Sequence, residues 1–179
     1  MRIETPRLIL RPWRDSDLEP LAELNSDPEV MRHFAAPLTR AESDAFAQRQ
    51  SICLAAHGFC FWAVEAPGIA PLIGAVGLAP VRFQAHFTPA VEIGWRLARP
   101  YWGRGLATEA ARAALADGFG RAKLDEIVAF TATTNLASVR VMRRIGMRPD
   151  GAFDHPDMAG NHLLRRLLLF RIATTCQRP

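Results

Sequence analysis

The stretch YWGRGLATEAARAAL, residues 101–115, constrains this chain more than any other part of it. Two glycines flank an arginine, and a run of strong helix formers follows without a break. Glycine loses the most backbone freedom on folding, so a pair set directly before a helix asks for a reason. One reason is a tight turn that needs positive φ. The other is a ligand. The first turn of a helix leaves its amides without intrahelical partners and carries the positive end of the macrodipole. Without Cβ atoms at Gly103 and Gly105, an anion can come close to those amides, which makes a phosphate or pyrophosphate site. For the two glycines alone, both readings stand.

A dinucleotide-binding turn is the first competitor, since Gly103 and Gly105 begin a G-x-G. The third glycine of that fingerprint is replaced by Thr108, and the acidic ribose ligand should end the next strand. Asp125 lies instead at the start of that strand, so this competitor fails twice.

The pattern around the turn sets the fold class. Apolar and charged residues alternate over 7–14, which reads as a strand. A helix over 15–27 follows, with Ser16 and Glu19 at capping-box spacing or Asp15 as the cap. A second helix begins at Thr39, again with a carboxylate three residues on at Glu42, and ends near Gly58. Segments 59–66, 71–81 and 90–98 read as an antiparallel meander. Then come a helix over 105–121, a strand from Glu126, a helix over 136–145 and two strands around 147–154 and 163–173. The order βααβββαβαββ, about seven strands and four helices, predicts an α/β (α+β) fold with a mixed, mostly antiparallel twisted sheet. No linker interrupts it, so 1–179 is read as one domain.

Bulk composition narrows the function. At 179 residues and 49 % hydrophobic, the chain can bury a sizeable core. Charges break every short apolar run at the start, and no apolar run reaches the roughly 18 residues of a membrane span. A net charge of +4, with Lys123 the only lysine, fits an anionic ligand or an acidic partner, or reflects codon usage. There is no basic run of nucleic-acid type. Cys53, Cys60 and Cys176 form no C-x-x-C pair and are read as reduced cytoplasmic thiols. The histidines show no H-E-x-x-H or comparable spacing, so no catalytic metal is expected.

Three segments together resemble the GNAT superfamily of acyl-CoA-dependent N-acyltransferases. VEIGWRLARPYWGRGLATEA looks like that family's fourth strand and pyrophosphate loop, and TNLASVRVMRRIGM like its second signature. The opening TPRLILRPWRDSDLEPL resembles the branch containing the ribosomal-protein N-terminal acetyltransferases, RimJ and RimL. The superfamily loop usually starts with Gln or Arg, whereas Trp102 starts it here, which puts a phosphate contact from that side chain in doubt.

The resemblance implies acetyl-CoA held by main chain. Its pyrophosphate would accept from the amides of Gly103, Arg104, Gly105, Leu106 and Ala107, with Thr108 adding its amide and hydroxyl. The pantetheine arm would pair like an added strand beside Trp95 and Leu97. Gly94 marks either close backbone approach or relief of packing. Where the strands from Ala90 and Glu126 splay, backbone amides would face the thioester carbonyl. Asn135 is either an ordinary helix cap or the partner of a pantetheine amide. Ser138, by resemblance, would give a proton to the departing thiolate.

A primary amine arrives as ammonium and needs a base. Glu92 is the first candidate, acting through water, against a plain carboxylate paired with an arginine. Asp154 with His155 comes second and His162 third. Arg140, Arg143 and Arg144 form either a solvated face or a 3′-phosphate contact. Phe34, and Phe83 with His86, are core residues or the lining of an acceptor pocket. The expected function is direct transfer of an acetyl group to a primary amine, on a peptide N-terminus or a small molecule. The alternative is a CoA-binding sensor or structural module without transferase activity. Oligomeric state is left open by the sequence; an exposed edge of the final strand, 163–173, is compatible with a homodimer.

Overall fold

The computed structural model describes residues 1–158 and 164–174. His162 and Cys176 therefore lie outside the described residues. The strands are β1 (Ile3–Glu4), β2 (Ile9–Arg11), β3 (Phe61–Ala66), β4 (Ala70–Pro80), β5 (Val91–Leu97), β6 (Glu126–Ala132), β7 (Arg148–Asp154) and β8 (Arg166–Ala173). The helices are α1 (Leu18–Ser26), α2 (Pro28–Met31), α3 (Arg40–His57), α4 (Leu106–Gly120) and α5 (Leu136–Arg144). Short 3-10 turns precede α1 at Asp15–Asp17 and α4 at Arg99–Tyr101.

All eight strands join one sheet in the order β1-β2-β3-β4-β5-β6-β8-β7. Every neighbouring pair is antiparallel except β5 and β6, which run parallel with α4 as the crossover. The mixed, mostly antiparallel sheet agrees with the expectation from sequence, with one strand and one helix more. Both extras are too short to show periodicity. β1 is split from β2 by a turn in which the Thr5 amide donates to the Leu8 carbonyl at 2.9 Å. α2 is four residues long and starts where Asp27 accepts from the Glu29 amide at 2.8 Å.

Two local expectations are corrected. Neither Ser16 nor Asp15 caps the first helical segment. The segment starts at Arg14, whose amide donates to the Asp17 carboxylate at 2.8 Å while that carboxylate also binds Arg11. The final strand has no exposed edge either. β8 lies between β6 and β7, so the sheet edge on that side belongs to β7. At α3, by contrast, the capping box forms between Thr39 and Glu42, and Gly58 ends the helix at φ 76°.

One sheet face carries Ile93, Leu97, Ile127 and Ala129 and packs on α4 and α5 through Leu106, Ala110, Ala114, Val139 and Met142. The other face carries Ala63 under Leu21 of α1 and Ala47 of α3. Cross-strand register places Arg11, Ala63, Ala75 and Arg96 in a single row on that second face. Arg11 is 3 % exposed, and its guanidinium meets Asp17, Glu65 and the Pro71 carbonyl at 2.7–2.8 Å. This closed network pins β2, β3 and the start of α1 together.

Candidate active site

The site grows out of β5 and the loop behind it. β4 covers one edge of β5 along its whole length, from Gly74 against Leu97 to Pro80 against Val91. On the other edge β6 meets β5 at one registered pair, Glu92 with Val128. Beyond that pair the strands part, leaving the edge beside Trp95 and Leu97 without a strand partner.

The chain then turns through Arg99–Tyr101 into the glycine pair. Gly103 and Gly105 both take left-handed conformations, at φ 73° and 77°. A Cβ built at Gly103 would meet nothing within 4 Å, so its role there is conformational and not steric. Alternating left-handed residues turn successive N–H groups to one side, a concave geometry of the kind that suits an anion. Among the described residues no acceptor meets the amides of Gly103, Arg104, Gly105, Leu106, Ala107 or Thr108, and the Glu109 amide is the first to bond back, to the Gly105 carbonyl at 3.0 Å. The left-handed turn expected of the two glycines is present, and a ligand would use the same geometry.

Trp102 behaves differently from its neighbours. Its amide donates to the Arg99 carbonyl at 3.1 Å and its indole Nε1 to the Leu97 carbonyl at 2.6 Å. Both donors are committed to closing the loop onto the end of β5. Around the loop, Arg7 is held by the Glu109 carboxylate and donates to the Arg104 carbonyl at 3.0 Å. A cavity of about 600 Å³ opens there, lined among others by Arg7, Gly105, Thr108, Arg112 and Arg144. A second, of about 440 Å³, lies by β2 under Ile9, Arg14 and Glu65 and touches none of the residues expected to bind or react. Arg140 and Arg143 are exposed along α5.

The start of α5 faces the open edge of β5. Asn135 caps the helix, accepting from the Ser138 amide at 3.2 Å, and its Nδ2 donates to the Thr131 hydroxyl at 2.9 Å. The Trp95 indole donates to the Ser138 hydroxyl at 3.2 Å. That bond uses an oxygen lone pair and leaves the hydroxyl proton uncommitted.

On the opposite face of β5 stand Glu92, Gly94 and Arg96. No cation or donor among the described residues meets the Glu92 carboxyl, and burial raises its pKa to about 7. Among the described residues no arginine pairs with it. Gly94 is small because the Phe61 ring lies over it: a Cβ there would sit 2.8 Å from Phe61 Cζ.

The other base candidates fare differently. Asp154 sits between Arg165 and Arg166 at 3.1 Å each. The Arg166 hydrogen bond leads the causes that hold it below the usual carboxylate range, which makes it a poor proton acceptor. His155 lies tilted against Phe83, ring centroids 4.3 Å apart, and its Nδ1 accepts from the Asp157 amide at 3.2 Å. Phe83, Phe87, Phe130 and Phe153 form an aromatic cluster beside them. Burial pushes the Cys60 thiol up to about 12 and raises that of Cys53, so neither is poised as a nucleophile.

Arg96 is the group that sequence reasoning missed. It shares the Glu92 face, its guanidinium carbon lies 5.1 Å from the ring centres of both Phe34 and Phe46, and burial lowers its pKa to about 10. Strict alternation in VEIGWRL was the available signal, since it puts Glu92, Gly94 and Arg96 on one side.

Comparison with known proteins supplies independent information. Residues 7–148 match the family model described as an acetyltransferase (GNAT) domain. The chain is similar to a Bacillus subtilis protein described as uncharacterized N-acetyltransferase YnaD, 32 % identical over 162 residues, spanning 90 % of this chain and 91 % of that one. Among solved structures, a GNAT-family acetyltransferase from Bacillus anthracis superposes with a TM-score of 0.79 at 30 % identity, covering 97 % of this chain and 98 % of that one. RimL, the ribosomal L7/L12 alpha-N-protein acetyltransferase, solved with coenzyme A, gives a TM-score of 0.77 at 17 % identity over 97 % and 98 % of the two chains, a likeness of fold.

Proposed function

The chain belongs to the GNAT acetyltransferase domain family, and from that premise we propose that it is an acetyl-CoA-dependent N-acetyltransferase acting directly on a primary amine. The observation that carries the reading is the run of acceptor-free amides from Gly103 to Thr108 at the head of α4. A helix start with glycines in left-handed conformation suits a diphosphate, and the partnerless edge of β5 suits the amide-bearing arm that follows it. The RimL structure, which holds coenzyme A on the same fold, supports the assignment.

When bound, the coenzyme supplies an acetyl thioester whose thiol, with pKa ~8.5, is a tolerable leaving group. The residues of the chain do the rest. The nest of Gly103, Arg104, Gly105, Leu106, Ala107 and Thr108 anchors the diphosphate. Trp102 keeps that nest closed against Leu97. The edge at Trp95 and Leu97 aligns the arm, with Asn135 facing its amides. Glu92, ionised above its pKa of about 7, takes a proton from the acceptor ammonium through water. The amine nitrogen then bonds to the acyl carbon as the carbon–sulfur bond breaks. Ser138, oriented by the Trp95 indole, gives its proton to the leaving sulfur and is reprotonated by the second proton that the acylated nitrogen sheds as it becomes a neutral amide. No thiol of the chain is needed as an acyl carrier.

A thiol-release assay with acetyl-CoA and a panel of N-terminal peptides, polyamines and small amines tests the proposal. Free thiol should appear only when amine and protein are both present. Coenzyme binding with no amine-dependent release across the panel would contradict it.

A further inference from the structure

Guanidinium burial is costly unless acceptors meet its five donors. Arg96 lacks them. Its Nη1 touches the Met31 sulfur at 3.4 Å, the Phe34 and Phe46 rings lie at 5.1 Å, and its Nε is buried without an acceptor. Aromatic faces and a thioether attract the cation and fix its position, yet they supply no oxygen to its N–H fork. Nor does any carboxylate among the described residues approach it, in contrast to Arg11 in the same cross-strand row. One wall of this box opens outward, since Phe34 is 43 % exposed. A cation held rigidly, dry at one nitrogen and lacking its oxygen partners is prepared for a ligand that brings them.

The strand geometry says where that ligand's other end lies. Glu92 stands four residues earlier on the same face, a separation of about 13 Å at ~3.3 Å per residue. The Phe61 ring over Gly94 forms the apolar floor between them. We infer that Arg96 binds an acidic group on the acceptor, a carboxylate carried on the order of 10 Å from the amine that reacts beside Glu92. The inference rests on the proposed role of Glu92 and narrows the acceptor class from any primary amine to an amine with a remote acid. In an extended peptide the acid falls on the third or fourth residue, at up to ~3.3–3.6 Å per residue.

The test uses two rulers: C-terminally amidated peptides with one Asp at the second, third or fourth position against their Asn counterparts, and ω-amino acids of graded length against their amides. Calorimetric binding to the CoA-loaded protein and thiol release from acetyl-CoA are both measured. The third- or fourth-position Asp peptide, or the ω-amino acid of matching length, should bind at least tenfold tighter than its neutral twin. Arg96→Met should erase that preference with coenzyme affinity unchanged, and Arg96→Lys should restore it only in part, lacking the planar fork. A wild-type protein blind to Asp against Asn at every position would overturn the inference. So would a preference that survives Arg96→Met, or an Arg96→Met protein whose loss is in coenzyme binding. The wild-type ladder decides alone if Arg96→Met fails to fold. Arg96-dependent binding without thiol release would uphold this inference and sink the transferase reading; thiol release indifferent to the acid would do the reverse.

Discussion

Arg11 and Arg96 stand in one cross-strand row, separated by Ala63 and Ala75, and the sheet treats them in opposite ways. Around Arg11 two carboxylates and the carbonyls of Pro12 and Pro71 meet every guanidinium donor. Around Arg96 there are rings, a sulfur and a buried Nε without an acceptor. Glu92, on the same strand, likewise meets no partner among the described residues, and its burial shows as a raised pKa of about 7. The lesson is that the β2 side of the sheet uses buried charge to hold elements together, while β5 keeps its charges uncompensated where a substrate would lie. Closed charges should govern stability and open ones activity.

The largest expected effect is on the closed side. Arg11→Met strands the Asp17 carboxylate, 1 % exposed, and should cost about 3–5 kcal/mol in denaturant unfolding. A loss under about 1 kcal/mol would erase the contrast between the two arginines. Next comes Glu92→Gln, which should slow transfer about a hundredfold or more and remove a rise in kcat/KM centred near pH 7. An unchanged pH–rate profile would strip Glu92 of the role.

The same variant carries a stability signature. Glu92 has its pKa raised from an ordinary value near 4.5 to about 7, so the folded protein binds that proton more tightly than the unfolded chain. Wild-type stability should therefore fall as pH rises from about 4.5 to 7 and level off above, relative to Glu92→Gln. Parallel melting curves for the two proteins across that window would contradict an uncompensated carboxyl.

Ser138→Ala should be milder, a rate loss of no more than about a hundredfold, because the thiolate can leave without an acid. A greater loss with normal coenzyme affinity would give Ser138 a larger part. Smallest is the stability change for Arg96→Met, expected within about 1 kcal/mol of wild type because no ion pair is broken and a volume-filling apolar chain remains between the rings.

Which parts of this were legible in the sequence follows from how local their causes are. The glycine pair before α4, the Thr39–Glu42 box and the Asn135 cap are set by residues within a few positions of one another, and pattern reading found them. β1 and α2 span two and four residues and carry no period to read. The edge position expected of β8 failed because strand order is a tertiary fact: a strand that pairs with both β6 and β7 reads the same in sequence as one at the rim. Glu92 could be named from its strand, but its lack of a partner could not. Arg96 escaped altogether, since Phe34 and Phe46 reach it from across the chain and only the fold brings them to it.

Backbone amide NMR during titration with coenzyme A examines the main claim most directly. The account predicts that the largest shifts fall on Gly103, Arg104, Gly105, Leu106, Ala107 and Thr108, while the Trp102 amide, already bonded to Arg99, and the Arg11 amide stay nearly still. Saturable binding that leaves the amides of 103–108 unmoved and shifts another surface would contradict it.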